Sequence, residues 1–353
     1  MKKRLLALVL VAFLVQAATI VIIFTNPLLR RTHEPCRKSH IIYDAAGAGT
    51  NYQMRITVHY GSGADHGEDV YLNHNGRIDF GDVRFVDDDG VTELDYWMQE
   101  KVNGRYAIFW VEVQDDLSWQ SQVIYMYYGN MEATSASSIT DTFIVAMDTE
   151  RTAIGDTPIG WRDWSTGTSS ATVQRDQSKY GTSSLKLVDA GSEQYGIIEK
   201  VGFELPNTCA VEFAVRASNE AEDDQALLAR SISGIEAWRY LPCSYIPRFR
   251  QKGMGFGSGS EDVWRLTDSS VNTWYEVSII CNGGSNQVEA IYVDGEERLD
   301  YRRFGNPVTI ASFSWRTTTF LTAGTLWLDG FRVRKYVTFE PTHGAWGAEE
   351  TVE

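Results

Sequence analysis

Tyr52, Met54, Ile56, Val58 and Tyr60 alternate with Gln53, Arg55, Thr57 and His59. This period of two predicts a half-buried antiparallel strand, because a helix would scatter the same apolar side chains around its circumference. The runs Val83 to Val86, Asp95 to Lys101, Arg105 to Val113 and Gln122 to Gly129 repeat the signal, separated by turn sequences such as Asp87-Asp88-Asp89-Gly90 and Asn103-Gly104. A small-residue stretch, Ala133 to Ser138, then reads as a boundary. Beyond it a second series is expected at Ser184 to Val188, Cys209 to Arg216, Gln225 to Arg230, Glu236 to Leu241, Trp274 to Cys281, Gln287 to Val293 and Leu326 to Lys335. The acidic run Glu220 to Asp224 reads as a solvated loop. So many short strands bury their apolar faces best as two consecutive antiparallel β-sandwiches, and the fold class is all-β.

One segment departs from this pattern. Leu5 to Phe24 is apolar except for Gln16 and Thr19, and twenty helical residues reach ~30 Å, the depth of a bilayer's hydrocarbon core. We read it as one N-terminal transmembrane helix; a cleaved signal peptide is the competing reading, with small residues near Ala17. Both readings export the rest of the chain, so localisation is at the cell membrane with the C-terminal part extracellular, or secreted. The expected organisation is an anchor or signal segment at 1–25, a linker at 26–42, a first sandwich at 43–132, a linker at 133–140, a second sandwich at 141–340 and a tail at 341–353.

Charge narrows the partners. Lys plus Arg number 32 against 47 Asp plus Glu, for a net charge of −15, which repels a phosphate backbone, so no nucleic acid is expected. The four cysteines make no scaffold. Cys209 and Cys281 each alternate with core-type residues, and two readings stay open: a disulfide between them, or two separate buried thiols.

In the first unit, Asp79-Phe80-Gly81-Asp82-Val83-Arg84-Phe85, Leu94-Asp95-Tyr96-Trp97, Phe109-Trp110-Val111 and Ile124-Tyr125-Met126-Tyr127-Tyr128-Gly129-Asn130 resemble domain of unknown function 2341, found in bacterial and archaeal surface proteins. The resemblance covers about Tyr43 to Glu132 and implies an extracellular β domain without known chemistry. The second unit, through Tyr180-Gly181-Thr182-Ser183-Ser184-Leu185, Trp274-Tyr275-Glu276-Val277, Ile291-Tyr292-Val293-Asp294-Gly295 and Leu328-Asp329-Gly330-Phe331-Arg332-Val333, resembles a concanavalin A-like jelly roll of the laminin G type. That class hosts lectins, adhesion domains and some glycan-cleaving enzymes, so the fold alone does not choose among them.

Glycoside cleavage needs two positioned carboxyls, one with a raised pKa. Glu93, Asp95 and Glu100 echo such a pattern, but strand parity turns Glu100 to the opposite face unless a bulge intervenes, and no catalytic residue is assigned. For calcium, Asn73, Asn75, Asp79 and Asp82 place oxygen ligands around Gly76 as in the later part of a calcium loop. The alternative is a hairpin turn whose carboxylates bond local backbone or arginine; no cofactor is required, and calcium is the one candidate. Glycan recognition asks for exposed aromatic faces beside polar groups, and Trp161, Trp164, Trp238 and Tyr240 are the candidates: the first two by composition near a predicted loop, the last two because alternation sets them on one strand face, which is either a platform or a core row. The function expected is a membrane-anchored binding or adhesion protein recognising carbohydrate or another surface polymer without catalysis. A structural surface-layer spacer and a glycoside hydrolase with a non-standard carboxylate pair are the alternatives.

Overall fold

The computed structural model describes residues 36–190, 194–206, 208–218, 226–234, 236–246, 251–257, 264–281, 288–302, 309–317 and 324–352. The expected span Leu5 to Phe24 and the acidic run Glu220 to Asp224 lie outside them. Among the described residues no helix is long and apolar enough to cross a membrane.

The first unit contains β1 (Cys36–Tyr43), β2 (Tyr52–His59), β3 (Asp69–Tyr71), β4 (Arg84–Val86), β5 (Tyr96–Val102), β6 (Tyr106–Val113) and β7 (Gln122–Tyr128). A one-turn helix α1 (Ile139–Thr142), N-capped by Ser138, leads into the second unit. That unit begins with β8 (Val145–Ala146), β9 (Arg162–Asp163), β10 (Ser170–Gln174), β11 (Ser184–Asp189), β12 (Gly196–Val201), β13 (Cys209–Ala217) and β14 (Ala226–Arg230). It continues through β15 (Glu236–Ile246), β16 (Gln251–Gly257), β17 (Trp264–Thr267), β18 (Trp274–Cys281), β19 (Val288–Val293), β20 (Glu296–Arg302), β21 (Ser312–Thr317) and β22 (Gly324–Lys335). Two short strands, β23 (Thr342–Trp346) and β24 (Glu350–Thr351), close the chain.

Each unit is two packed sheets. In the first, a sheet ordered β23-β1-β7-β4, with β24 also on β1, faces a sheet ordered β3-β2-β6-β5. In the second, β10-β11-β22-β13-β18-β19-β20, with β8 on β22, faces β17-β16-β15-β14-β21-β12-β9. All pairings are antiparallel except β2 with β3.

Two expected boundaries are corrected. The supposed linker contains β1, and the supposed tail contains β23 and β24, so the last strands return across the second unit to pair with the first described one. Hydrophobic alternation did not reveal them because polar residues interrupt the inward positions that Ile42 and Trp346 share with the first core. Lys38 is buried, with Nζ donating to Asp65 Oδ2 and the Tyr71 carbonyl, each at 2.7 Å. His40 is fully buried, shares a 2.9 Å hydrogen bond with His343, and stacks on Trp346.

The two units are joined by packing. Trp97 on β5 and Trp110 on β6 point away from the first core, yet both are buried, because they meet Phe143, Ala146, Tyr180 and Ala214 of the second unit. Arg332 lies 5.4 Å from the ring centre of Trp97 and 5.2 Å from that of Trp110, while Arg334 lies 5.3 Å from Trp110. Glu212 binds both cations, Arg332 at 2.8 Å and Arg334 at 3.1 Å. Gln53 ties the backbone, donating to the Thr142 carbonyl at 3.0 Å and accepting from Lys335 N at 3.1 Å. A bulge produces this arrangement: Gly330 adopts φ +57°, the β13–β22 register shifts opposite it, and Arg332 and Arg334 are thereby turned outward.

Candidate functional site

The aromatic candidates separate by burial. Trp238 and Tyr240 are fully buried in the second core, where Trp238 packs against Phe256 and Phe313, and Tyr240 against Phe213. Their shared strand face is the inward one, which corrects the expectation that they form a ligand platform. Trp161 is also buried; its Nε1 donates to the Ala146 carbonyl at 3.1 Å and its ring stands edge-on to Phe331. Trp164 is the exception among the four, at 54% exposure.

Local backbone fixes Trp164 at the open side of β12. β9 pairs with β12 at Glu199 and Ile198, and the turn after it is held by Ser165 N donating to Asp163 Oδ1 at 2.7 Å. Trp164 N then donates to the Ile197 carbonyl at 2.8 Å, and Ile197 N to Ser165 Oγ at 3.1 Å. The indole Nε1 donates to Glu199 Oε2 at 3.1 Å, so the exposed ring is oriented as well as accessible.

Glu199 also lines a cleft of about 600 Å³ with Val201, Phe203, Glu204, Arg230 and Ser312. Register explains the set: Ile198, Phe313 and Ala229 point into the core, so their neighbours Glu199, Ser312 and Arg230 face outward on adjacent strands. Phe203 stacks on core residue Phe313 and gives the cleft an apolar wall. The cleft therefore combines carboxylates, a guanidinium and a hydroxyl with an apolar wall, and Glu199 connects it to the indole of Trp164, which does not itself line it. Glu199 and Arg230 were absent from the sequence candidates, since pattern alone did not indicate which neighbours Trp164 would have across strands.

Two other clefts are spent on structure. The larger, about 710 Å³, lies at the junction and includes Trp97, Glu100, Glu150, Lys179, Tyr180 and Asp329. Burial pushes the Asp329 carboxyl up to about 7, but its Oδ2 accepts from Lys179 N at 2.8 Å and Tyr180 N at 2.9 Å. Glu150 likewise accepts from Thr182 N and Ser183 N. These carboxylates shape the 179–183 loop. The smaller, about 370 Å³, contains Glu212, Glu276, Tyr292, Arg334 and Glu340. Burial opposes the Glu212 charge, but Arg334 and Arg332 outweigh it and hold its carboxyl below the usual range, which suits no proton donor. Of the glycosidase-like trio, Glu100 departs from the parity expectation: a bulge between Met98 and Glu100 sets it opposite Ile108 and so on the face of Trp97. It binds Tyr106, and Asp95 lies beside Glu112, whose carboxyl is pushed to about 7 by burial and by Asp95.

The calcium candidates do not converge. Asp79 holds Arg77 through both oxygens at 2.9 Å, and Gly81 N donates to it. Asp82 is fully buried and accepts from Arg77 N at 3.0 Å and Gly129 N at 2.6 Å. Asn75 instead reaches Glu349 at 2.8 Å, and Asn73 sits at a left-handed φ of 51°. The turn reading wins because backbone amides and Arg77 occupy the oxygens a cation would need. Elsewhere, Asp87, Asp88 and Asp115 bring one oxygen each within 4.8 Å of one another, with burial and repulsion from neighbouring aspartates raising the Asp87 carboxyl.

Residues 79–167 match the domain of unknown function DUF2341. The match covers about a quarter of the 353 residues. It begins later than the resemblance at Tyr43 and runs past Glu132, taking in the junction residues Trp97, Trp110, Phe143 and Ala146 and ending just after Trp164. No curated protein matches the chain in sequence. Among solved structures, a sialidase is similar at TM-score 0.42 and 13% identity over 62% of this chain and 20% of its own. The cellulose-induced protein Cip1 is similar at TM-score 0.39 and 10% identity over 54% and 96%. A structure titled for botulinum neurotoxin type C entry through two ganglioside molecules gives TM-score 0.38 and 12% identity over 56% and 48%. The chain thus spans a fifth of the sialidase and about half of the neurotoxin chain. At these scores the likenesses decide neither the ligand nor the finer topology of this chain.

Proposed function

We propose that this is a non-catalytic surface protein whose second unit binds carbohydrate at the cleft beside Trp164, with the first unit joining it to a membrane-anchoring N-terminal segment. The observation that carries the reading is the oriented, exposed indole of Trp164 bonded to Glu199, which lines the adjoining cleft of mixed polar and apolar character. Sugars present C–H faces that stack on an indole and hydroxyls that bond to carboxylates and guanidiniums, and Glu199, Arg230 and Ser312 supply those partners. A jelly-roll topology of the laminin G type would suit such a site. A binding role without catalysis is supported by Glu212 being held by arginines and Asp329 and Glu150 by backbone amides.

The test is affinity electrophoresis and pull-down on a panel of insoluble and soluble polysaccharides. At least one should retain the protein, and Trp164→Ala should weaken retention about tenfold or more. Trp119→Ala is the control, since Trp119 is 83% exposed but lies in the first unit away from the cleft. Retention of none, or equal retention of the Trp164 variant, would remove the proposal. The buried junction between the units also favours a spacer role; a discrete dimer or polymer with no sugar retention would support that reading instead.

A further inference from the structure

Cys209 opens β13 and Cys281 closes β18, and the two are register partners across the sheet. Directly opposed residues of an antiparallel pair sit ~4.5–5.5 Å apart at Cα, inside the ~4.4–6.8 Å range that a disulfide spans. Both side chains are fully buried, and their sulfurs lie 3.5 Å apart. Bond formation would bring the sulfurs closer by about 1.5 Å, to the ~2.05 Å of a disulfide. The other two cysteines are not register partners of this pair: Cys36 lies on β1 of the first unit, and Cys243 on β15 of the facing sheet.

We infer that Cys209 and Cys281 are a modification site: they are joined by a disulfide in the mature protein, closing a loop that contains β14 to β17 and the cleft residue Arg230. One cysteine thiolate attacks the disulfide of a dithiol oxidant, forming a mixed disulfide and releasing the oxidant's first thiolate. The second cysteine thiolate then attacks the protein sulfur of that mixed disulfide, forming the Cys209–Cys281 bond and releasing the oxidant's second thiolate. The two electrons pass to the oxidant, and the two protons lost by the cysteines end on its thiols. Oxidation happens before or during closure of the sheet, because the folded core excludes an enzyme from both sulfurs. Once made, the bond is shielded from reductants by the same burial. Such an oxidant acts in the exported compartment that the N-terminal segment implies, whereas a cytosolic chain would keep both thiols.

The experiment takes the full chain, exported through its own N-terminal segment, alkylates it under denaturing conditions with and without prior reduction, and maps peptides by mass spectrometry. The expected result is a peptide linking Cys209 to Cys281, short by two hydrogens and blocked from alkylation until reduced. Thermal unfolding is measured in parallel: reduction should lower Tm by about 10 °C, given a closed loop of this length, and Cys209→Ala/Cys281→Ala should be insensitive to reductant. Alkylation of both cysteines without reduction, a bridge to Cys36 or Cys243, or an unchanged Tm in exported wild type that was reduced under denaturing conditions and refolded in reductant would overturn the inference. Because the wild type carries both readouts, a variant that fails to fold does not shelter it.

Discussion

Glu212→Gln removes one charge from the centre of the junction while keeping its shape. Its carboxylate contacts Arg332 at 2.8 Å and Arg334 at 3.1 Å, and all three side chains are about nine-tenths buried. Removing one member of a buried ion pair costs ~3–5 kcal/mol, because the partner charge stays desolvated. Here Arg334 keeps Glu340 at 2.6 Å, and Arg332 keeps the Gly330 carbonyl at 3.1 Å and the faces of two tryptophans. The lower end therefore applies, about 3 kcal/mol, or a Tm fall of about 6–10 °C for a chain of this size. Urea unfolding followed by tryptophan fluorescence measures it. Because the folded-state pKa of Glu212 lies below the unfolded one, its charge adds stability above about pH 4.3 that is lost as pH falls through the folded value. The variant should accordingly lose the least stability, relative to wild type, in acid. A loss under about 0.5 kcal/mol at neutral pH, within the range of an ordinary surface substitution, would refute the claim that this network holds the units together.

Gly330→Ala should cost about 2–4 kcal/mol, read as a lower urea midpoint, because the residue sits at φ +57° and an added Cβ would lie 2.8 Å from the Tyr180 ring and 3.4 Å from Trp97. His40 is pushed down to about 3, first by burial and then by His343, and burial lowers His343 too, helped by the charge of Arg55 and opposed by Glu68 and Asp69. Stability from the neutral pair is complete above about pH 6.5 and drains as pH falls toward the folded value, about 2 kcal/mol by about pH 5. His40→Phe, which keeps a ring on Trp346, should flatten that slope in unfolding midpoints measured against pH; an unchanged slope would assign the acid sensitivity elsewhere.

Strand identity was legible in β2 because polar Gln53, Arg55, Thr57 and His59 alternate with the core residues, even though Gln53 and Thr57 are themselves buried. It was also legible in β6, although there both faces are buried: Phe109 and Val111 serve the first core while Trp110 serves the junction, giving the near-continuous apolar run Ala107 to Val111. It failed in β1 and β23, where Lys38, His40 and His343 take inward positions that alternation assigns to apolar residues. The site was half legible. Alternation correctly placed Trp238 and Tyr240 on one face but carries no sign, so it did not say which face looked inward. Trp164 was found by composition near a loop, whereas Glu199 and Arg230 belong to its surroundings only through cross-strand register, which a single sequence does not display. The calcium pattern left two readings open because the residues that build a tight turn, Asn, Asp and Gly, are those that build a cation loop.

The most direct test of the carbohydrate site is fluorine NMR of the chain labelled with 5-fluorotryptophan at its eleven tryptophans, titrated with an oligosaccharide from a retained polymer. The Trp164 resonance, assigned through Trp164→Phe, should move with saturation while those of the buried Trp238 and Trp315 stay in place. Movement confined to Trp119 or to the junction pair Trp97 and Trp110, with Trp164 still, would contradict the account.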